Sequence, residues 1–298
     1  MAGAIWAALA GIGFGIFQAL NRRAGREWGD AYRATFILLL VSAVILITAS
    51  VLTEDVSLLF SASLITYLNF GLAGFIHFFL GWTFISISQV RVGAARTGAL
   101  VGTTPLFAAV VGIVFFDEFL NLPVFLGIAI VIAGVYLVSM ARNKGAPRAG
   151  QPTGSWRDSV FGLGTAVCFA GSAVFIRAGL AALASPLLGV TIGMVISTGA
   201  YGVALLFRSA PAERGQLLRA TLVFQVLAGV FVGMSTWMRW IALDLAPVAV
   251  VLSLGRLNVP VVLIVAPLLV GRQYEQVTPR IWLGALLTIV GSLLLILY

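Results

Sequence analysis

Hydrophobic residues in this chain come in long uninterrupted blocks, not at the intervals of a one-sided amphipathic helix. Each block has about twenty residues, the length an α-helix needs to cross the apolar core of a bilayer. Charges, prolines and polar clusters end the blocks. The pattern predicts membrane helices over residues 2–20, 34–52, 64–88, 93–116, 123–140, 160–178, 185–207, 222–243, 247–270 and 281–298.

One segment between the fifth and sixth blocks has a different composition. Residues 141–157 mix glycine, proline and basic residues without apolar periodicity, which is typical of a flexible linker. We therefore predict a first five-helix repeat over residues 1–140, a cytosolic linker over 141–157 and a second five-helix repeat over 158–298.

The two halves share a pattern of prolines, acids and glycines. When Pro105 is aligned with Pro260, Glu118 and Glu275 each fall nine residues before a glycine, and a second glycine follows seven residues later. These glycines are Gly127 and Gly134 in the first half and Gly284 and Gly291 in the second. Because five is an odd number of crossings, the second repeat must enter from the opposite side. The predicted fold is an all-α integral membrane protein with ten transmembrane helices in two inverted five-helix repeats.

Composition supports this class. Hydrophobic residues make up 61% of the chain, charged residues 9%, and the mean hydropathy is +1.09, whereas soluble domains have about 25% charged residues. A water-soluble fold of this length is excluded. The net charge of +8 would suggest nucleic acid in a soluble protein, but here the basic residues separate apolar blocks, so no nucleic-acid partner is expected.

The distribution of basic residues predicts an orientation. Nearly all of them fall in the linker and in loops on one face, and only Arg177 and Arg239 fall on the other. The positive-inside rule makes the first face cytoplasmic and places both termini outside a plasma or inner membrane. Acidic residues mark the outer loops, namely Glu54, Asp55, Asp117 and Glu118.

Residue types that carry catalysis or hold metals are scarce. Cys168 is the single cysteine and His77 the single histidine, so one chain forms no disulfide framework and no Cys/His metal cluster. There is no phosphate-cradling loop and no Ser/His/Asp arrangement. We therefore expect no enzyme activity, no catalytic residue, no metal and no cofactor in a monomer or homodimer.

The fourth and ninth helices each have a polar, proline-containing centre. In transporters of this architecture, interrupted helices leave backbone groups free near the bilayer midplane, where the substrate binds. The alternative is that glycine and proline are simply more frequent in membrane helices. The residues are Gly102, Thr103, Thr104 and Pro105 in the fourth helix and Gly255, Arg256, Asn258 and Pro260 in the ninth.

Arg256 is the strongest single candidate for substrate binding. It lies close to mid-membrane, where an unpaired arginine costs at least ~2.5–3.5 kcal/mol. Its planar guanidinium matches a carboxylate or a phosphate. The alternative is a structural arginine satisfied by carbonyl groups or by Ser253.

His77 lies halfway along the third helix, where it either carries a coupling proton, bonds the substrate, or simply packs. Every aspartate and glutamate lies at a helix end or in a loop. A cation exporter driven through an intramembrane acid is therefore disfavoured, and an anionic or zwitterionic substrate fits better.

Gln18 is a weaker candidate, because a buried amide also stabilises helix pairs. Trp237 and Trp240 are expected in the interfacial aromatic belt. The glycine-rich stretch Gly11–Gly15 is expected to allow close helix packing.

Two stretches resemble the EamA family of the drug/metabolite transporter superfamily. The first is WxxxxGxGFGxFQxxNRR from Trp6 to Arg23, and the second is TTPLFAAVVGIVFFDEF followed by GIAIVIAGV. The resemblance covers both halves. It implies ten helices around a central cavity, alternating access, and substrates that include amino acids, other organic metabolites, sugar nucleotides and drugs.

The resulting hypothesis is a secondary-active transporter of a small organic metabolite, anionic or zwitterionic like an amino acid or organic acid. The expected substrate-binding residues are Arg256, His77, Thr104, Asn258, Thr103 and Gln18. The alternative is a broad-specificity drug or metabolite efflux pump. A membrane enzyme or lipid flippase is less supported because catalytic pairs are missing.

Overall fold

The computed structural model describes residues 1–25, 31–92, 94–140, 156–207, 219–270 and 278–298. These residues form helices and contain no strand. The helices, numbered in chain order, are α1 Ala2–Gly25, α2 Ala31–Thr53, α3 Ser57–Ser61, α4 Leu64–Gly74, α5 Trp82–Val92, α6 Ala94–Val101, α7 Thr104–Phe116, α8 Leu122–Ser139, α9 Ser159–Ala182, α10 Pro186–Leu206, α11 Arg219–Leu245, α12 Val248–Leu254, α13 Asn258–Val270 and α14 Pro279–Leu297. A π-helical turn, Phe75–Gly81, joins α4 to α5, and 3₁₀ turns cover Trp156–Asp158 and Gly255–Leu257.

Within the described residues, nine helical spans are long and apolar enough to cross a membrane. The fifth predicted block, residues 123–140, is apolar but forms a shorter helix, over Leu122–Val138. A helix of this length rises about 26 Å, at the lower limit for a bilayer. The protein is therefore a multi-pass membrane protein.

Some helices extend beyond the apolar blocks. The first continues through Arg22 and Arg23 to Gly25 instead of ending at residue 20, because long basic side chains reach the interface while their backbone stays helical. Residues 141–155 of the predicted linker and Glu275 lie outside the described residues.

The fourth span of each half changes its hydrogen bonding in mid-span. In the first half α6 ends at Val101 and α7 begins at Thr104. Pro105 lies in the first turn of α7, where the missing N–H of proline has no helical partner to lose. In the second half the 3₁₀ turn Gly255–Leu257 separates α12 from α13, which begins at Asn258.

Helices of the first half pack mainly on helices of the second. The pairs in contact include α1 with α11, α2 with α10, α4 with α9, α7 with α12 and α8 with α14. Helices α8 and α14 cross where glycines of the two helices face each other. A Cβ added at Gly134 would lie 2.6 Å from the carbonyl oxygen of Gly284, and a Cβ at Gly284 would lie 2.6 Å from that of Gly134. These glycines let the two backbones approach closely.

Because successive spans cross the bundle in alternate directions, the turns after α2, α7, α9 and α11 lie together at one end. We call this the Glu118 end. Contacts between Glu118 and Arg177 join the turn after α7 to the last part of α9 there. At the opposite end Arg91 pairs with Asp158, with 2.9 Å between Nη1 and Oδ1.

A matched pair of glycines tests the packing of α4 on α10. A Cβ added at Gly74 would overlap the backbone of Gly193, whereas nothing lies within 4 Å of a Cβ added at Gly199. We expect Gly74→Ala to lower the stability by about 1–3 kcal/mol, as overpacking does. Gly199→Ala gains the same helix propensity without the clash.

The measurement is thermal unfolding of the purified protein in one detergent. Similar melting temperatures for Gly74→Ala and Gly199→Ala would show that this close contact is wrong.

Candidate functional site

His77 lies in the π-helical turn Phe75–Gly81 of the third span. π-Helical turns are rare and frequently occur at functional sites. The side chain of His77 is buried, and its ring stacks on Phe169 of α9 with 4.3 Å between centroids. The turn therefore presents His77 to the second half of the chain.

Arg239 of α11 contacts this histidine. Its Nη1 lies 2.8 Å from Nε2 of His77, and its guanidinium lies over the ring of Phe14 at 5.6 Å. Arginine can only donate, so Nε2 must accept and carry no proton. Nδ1 then carries the ring proton and donates to Oγ of Ser172 at 3.2 Å, and that hydroxyl donates to the carbonyl of Phe169 at 3.0 Å.

Each group in the series Arg239, His77 and Ser172 donates a hydrogen bond to the next. This order defines the protonation state of His77. A neutral His77 accepts from Arg239 and donates to Ser172. Protonation of Nε2 would remove the acceptor and place a positively charged ring against the guanidinium of Arg239. The neutral imidazole is therefore the form that this arrangement stabilises.

Arg256 lies in the 3₁₀ turn Gly255–Leu257, close enough to interact electrostatically with both His77 and Arg239. The two guanidinium groups repel each other. We call Arg239, Arg256, His77 and Ser172 the arginine–histidine cluster. Close approach of α1 delimits it, because a Cβ added at Gly11 would lie 2.6 Å from the Leu254 carbonyl oxygen.

Neither arginine of the cluster has an acidic partner among the described residues. The carboxylates of Asp158 and Glu118 pair instead with Arg91 and Arg177. Three buried guanidinium nitrogens have no hydrogen-bond partner, namely Nε and Nη2 of Arg239 and Nε of Arg256. Two like charges with free donors inside a membrane protein attract an anion.

The structure places the predicted site residues in two groups. His77 and Arg256 lie together in the cluster. Asn258 begins α13 two residues after Arg256, and its buried Oδ1 has no partner. Pro260 follows in the first turn of α13, and Gly255, in the 3₁₀ turn, faces open space, since nothing lies within 4 Å of an added Cβ.

The other predicted residues have no described hydrogen bond to the cluster. The hydroxyls of Thr103 and Thr104 donate to the carbonyls of Leu100 and Val101, at 2.6 Å each. Gly102 packs on Val135, with 2.7 Å between an added Cβ and Cγ1. Gln18 is half-buried on α1, one turn after Phe14. A direct role for these residues in binding stays a prediction.

Arg239 is the residue that sequence reasoning missed. Its position near the end of a helix suggested a charge on the outer face, with Trp237 and Trp240 in the interfacial belt. That expectation is wrong for Trp240, which is 1% exposed and packs on Phe70. The signal that could have identified Arg239 is its place within the apolar span Thr221–Leu245.

Substitution of His77 tests its role as the hydrogen-bond acceptor for Arg239. Glutamine can accept from Arg239, whereas leucine of similar size cannot. Because an unsatisfied buried donor costs about 1–3 kcal/mol, we expect His77→Leu to unfold at a clearly lower temperature than His77→Gln. The measurement is thermal unfolding in detergent, and equal stability of the two variants would contradict the assignment.

Comparisons with known proteins agree with the resemblance seen in the sequence. A family model described as the EamA-like transporter family matches residues 1–140. None of the curated proteins matches the chain in sequence. Among solved structures, one described only as the crystal structure of a protein is 17% identical, has a TM-score of 0.71, and aligns with 95% of this chain and 94% of its own. This likeness concerns the fold alone.

Proposed function

We propose, from the membership of residues 1–140 in the EamA-like transporter family of the drug/metabolite superfamily, that this protein is a secondary-active carrier. Its substrate is a small organic metabolite with a carboxylate or phosphate, either an anion or a zwitterion. The substrate's acidic group binds between Arg239 and Arg256, and alternating access moves it across the membrane.

The unpaired charge of the arginine–histidine cluster carries the proposal. Two buried guanidinium groups repel each other and retain free donors, and an acidic substrate relieves both conditions at once. A cation would add to the repulsion. The neutral His77 holds one edge of Arg239 and leaves Nε and Nη2 for the ligand.

Contacts between the halves support alternating access. The first helix of one half packs on the third of the other in both directions, α1 on α11 and α9 on α4. The second, fourth and fifth spans of the first half each pack on the equivalent span of the second half. This reciprocity is expected of inverted repeats related by a two-fold axis in the membrane plane, whose halves rock about a central site.

Arg256→Gln separates a binding role from a structural one. Removing one of two repelling charges should raise the melting temperature of the ligand-free protein, because a buried uncompensated charge is lost. The same change should abolish stabilisation by anions. A ligand at a hundred times its Kd stabilises a protein by about 2.7 kcal/mol, so the loss is readily measured.

The screen uses amino acids, organic acids, phosphorylated metabolites and cationic dyes with the wild type, Arg256→Gln and Arg239→Gln. Arg91→Gln is the matched control, because Arg91 is half exposed at the other end of the bundle. Binding should persist in Arg91→Gln, and uptake into liposomes should follow binding. Stabilisation by cations alone, unchanged in Arg256→Gln, would favour broad-specificity efflux and make Arg256 structural.

A further inference from the structure

A second group of buried charges lies at the Glu118 end. Asp117 ends α7 in the left-handed conformation, with φ 51°, and the N–H of Glu118 donates back to the carbonyl of Gly112 at 3.1 Å. The side chain of Glu118 is 8% exposed, and its carboxylate lies where a Cβ on Gly112 would be. The sequence had placed Glu118 in an outer loop, but its carboxylate points into the bundle.

This carboxylate joins the two halves. Oε1 of Glu118 lies 2.8 Å from Nη1 of Arg177, and both carboxylate oxygens accept from the N–H of Val248, at 2.8 and 3.0 Å. Arg177 in turn donates from Nε to the carbonyl of Leu243 at 2.9 Å and from Nη2 to that of Ala246. We call these contacts the Glu118–Arg177 bridge.

The bridge ties together elements that otherwise need not move as one. Glu118 belongs to the first half, whereas Arg177, the end of α11 and the start of α12 belong to the second. The carboxylate satisfies a free N–H at the start of α12, and the guanidinium satisfies free carbonyls at the end of α11. Breaking the pair therefore frees both helix ends at once.

The bridge lies directly beyond the cluster along three elements. Arg177 comes five residues after Ser172 in α9, and Leu243 comes four residues after Arg239 in α11. Val248 precedes Gly255 by seven residues. At 1.5 Å per residue, these separations are about 6 to 10 Å. The bridge therefore covers the cluster on the side of the Glu118 end.

We propose that the Glu118–Arg177 bridge is a closed gate, which must break whenever the site opens toward the Glu118 end. The inference rests on the proposed function, because alternating access requires a reversible closure on each side of the site. An ion pair between the halves suits this task, since it has two discrete states, bonded and separated.

Chemical labelling measures the gate without knowledge of the substrate. Gly255→Cys places a thiol in open space beside Arg256, in a background where the native thiol is removed by Cys168→Ala. A membrane-impermeant thiol reagent is applied to sealed vesicles from either side. We expect Glu118→Gln to speed labelling from the Glu118 end about tenfold, since the loss of a buried ion pair is large enough for that change.

A second variant opens the bridge while keeping both charges. Gly112→Ala places a methyl group where the Glu118 carboxylate lies, so it should displace the carboxylate and accelerate labelling from the same side. Glu54→Gln is the matched control. It removes an equal charge at the same end, from a half-buried position in the loop after α2, and should leave labelling unchanged.

Unchanged labelling in either folded bridge variant would overturn the gate. So would equal acceleration by Glu54→Gln, or acceleration from the opposite side. If neither variant can be isolated folded, the bridge is a folding element and the gate is equally wrong. If the wild type binds no anion but both variants still label faster, the proposed substrate class is wrong and the gate is supported.

Discussion

The chain holds two guanidinium groups, Arg239 and Arg256, within apolar spans and without an acidic partner among the described residues. Arg239 and Arg256 repel each other, and the hydrogen bond from Arg239 to His77 satisfies only part of their donors. In the apolar interior of a membrane such charges are tolerated only when another group compensates them. The described residues supply no carboxylate to either arginine, and we propose that an acidic ligand provides the compensation.

Much of the surrounding structure keeps these two charges in place. The π-helical turn presents His77 to Arg239, and the 3₁₀ turn between α12 and α13 carries Arg256. Gly11 lets α1 approach the latter turn, and Gly13 lets it approach Ser235 of α11. Phe14, the next residue, contacts the guanidinium of Arg239 in α11. Irregular backbone inside a membrane is stable only where protein or a wet cavity surrounds it, and here it carries His77 and Arg256.

The sequence predicts the extent of the apolar spans well and the rotation of each helix about its axis poorly. Block length gives the spans and the position of Arg256 within the span Val248–Leu269, because both depend only on position along the chain. Which neighbour a side chain meets depends on how the halves pack. Arg239 and Glu118 look like surface charges from their position near helix ends, yet one meets His77 and the other Arg177. The π-helical turn has no reliable sequence signal either.

The arrangement of charges also bears on how the site could be coupled to movement. The helices α9 and α11 each contribute to the arginine–histidine cluster and to the Glu118–Arg177 bridge. Helix α9 carries Ser172 of the cluster and Arg177 of the bridge, and α11 carries Arg239 of the cluster and Leu243 of the bridge. A ligand that draws Arg239 and Arg256 together would shift α11 relative to α12. The Glu118–Arg177 bridge contacts the junction of those two helices. Because packed elements are bistable, a small shift at the cluster suffices to favour one state of the bridge over the other. Binding and closure would then share one free energy, and each would bias the other equally.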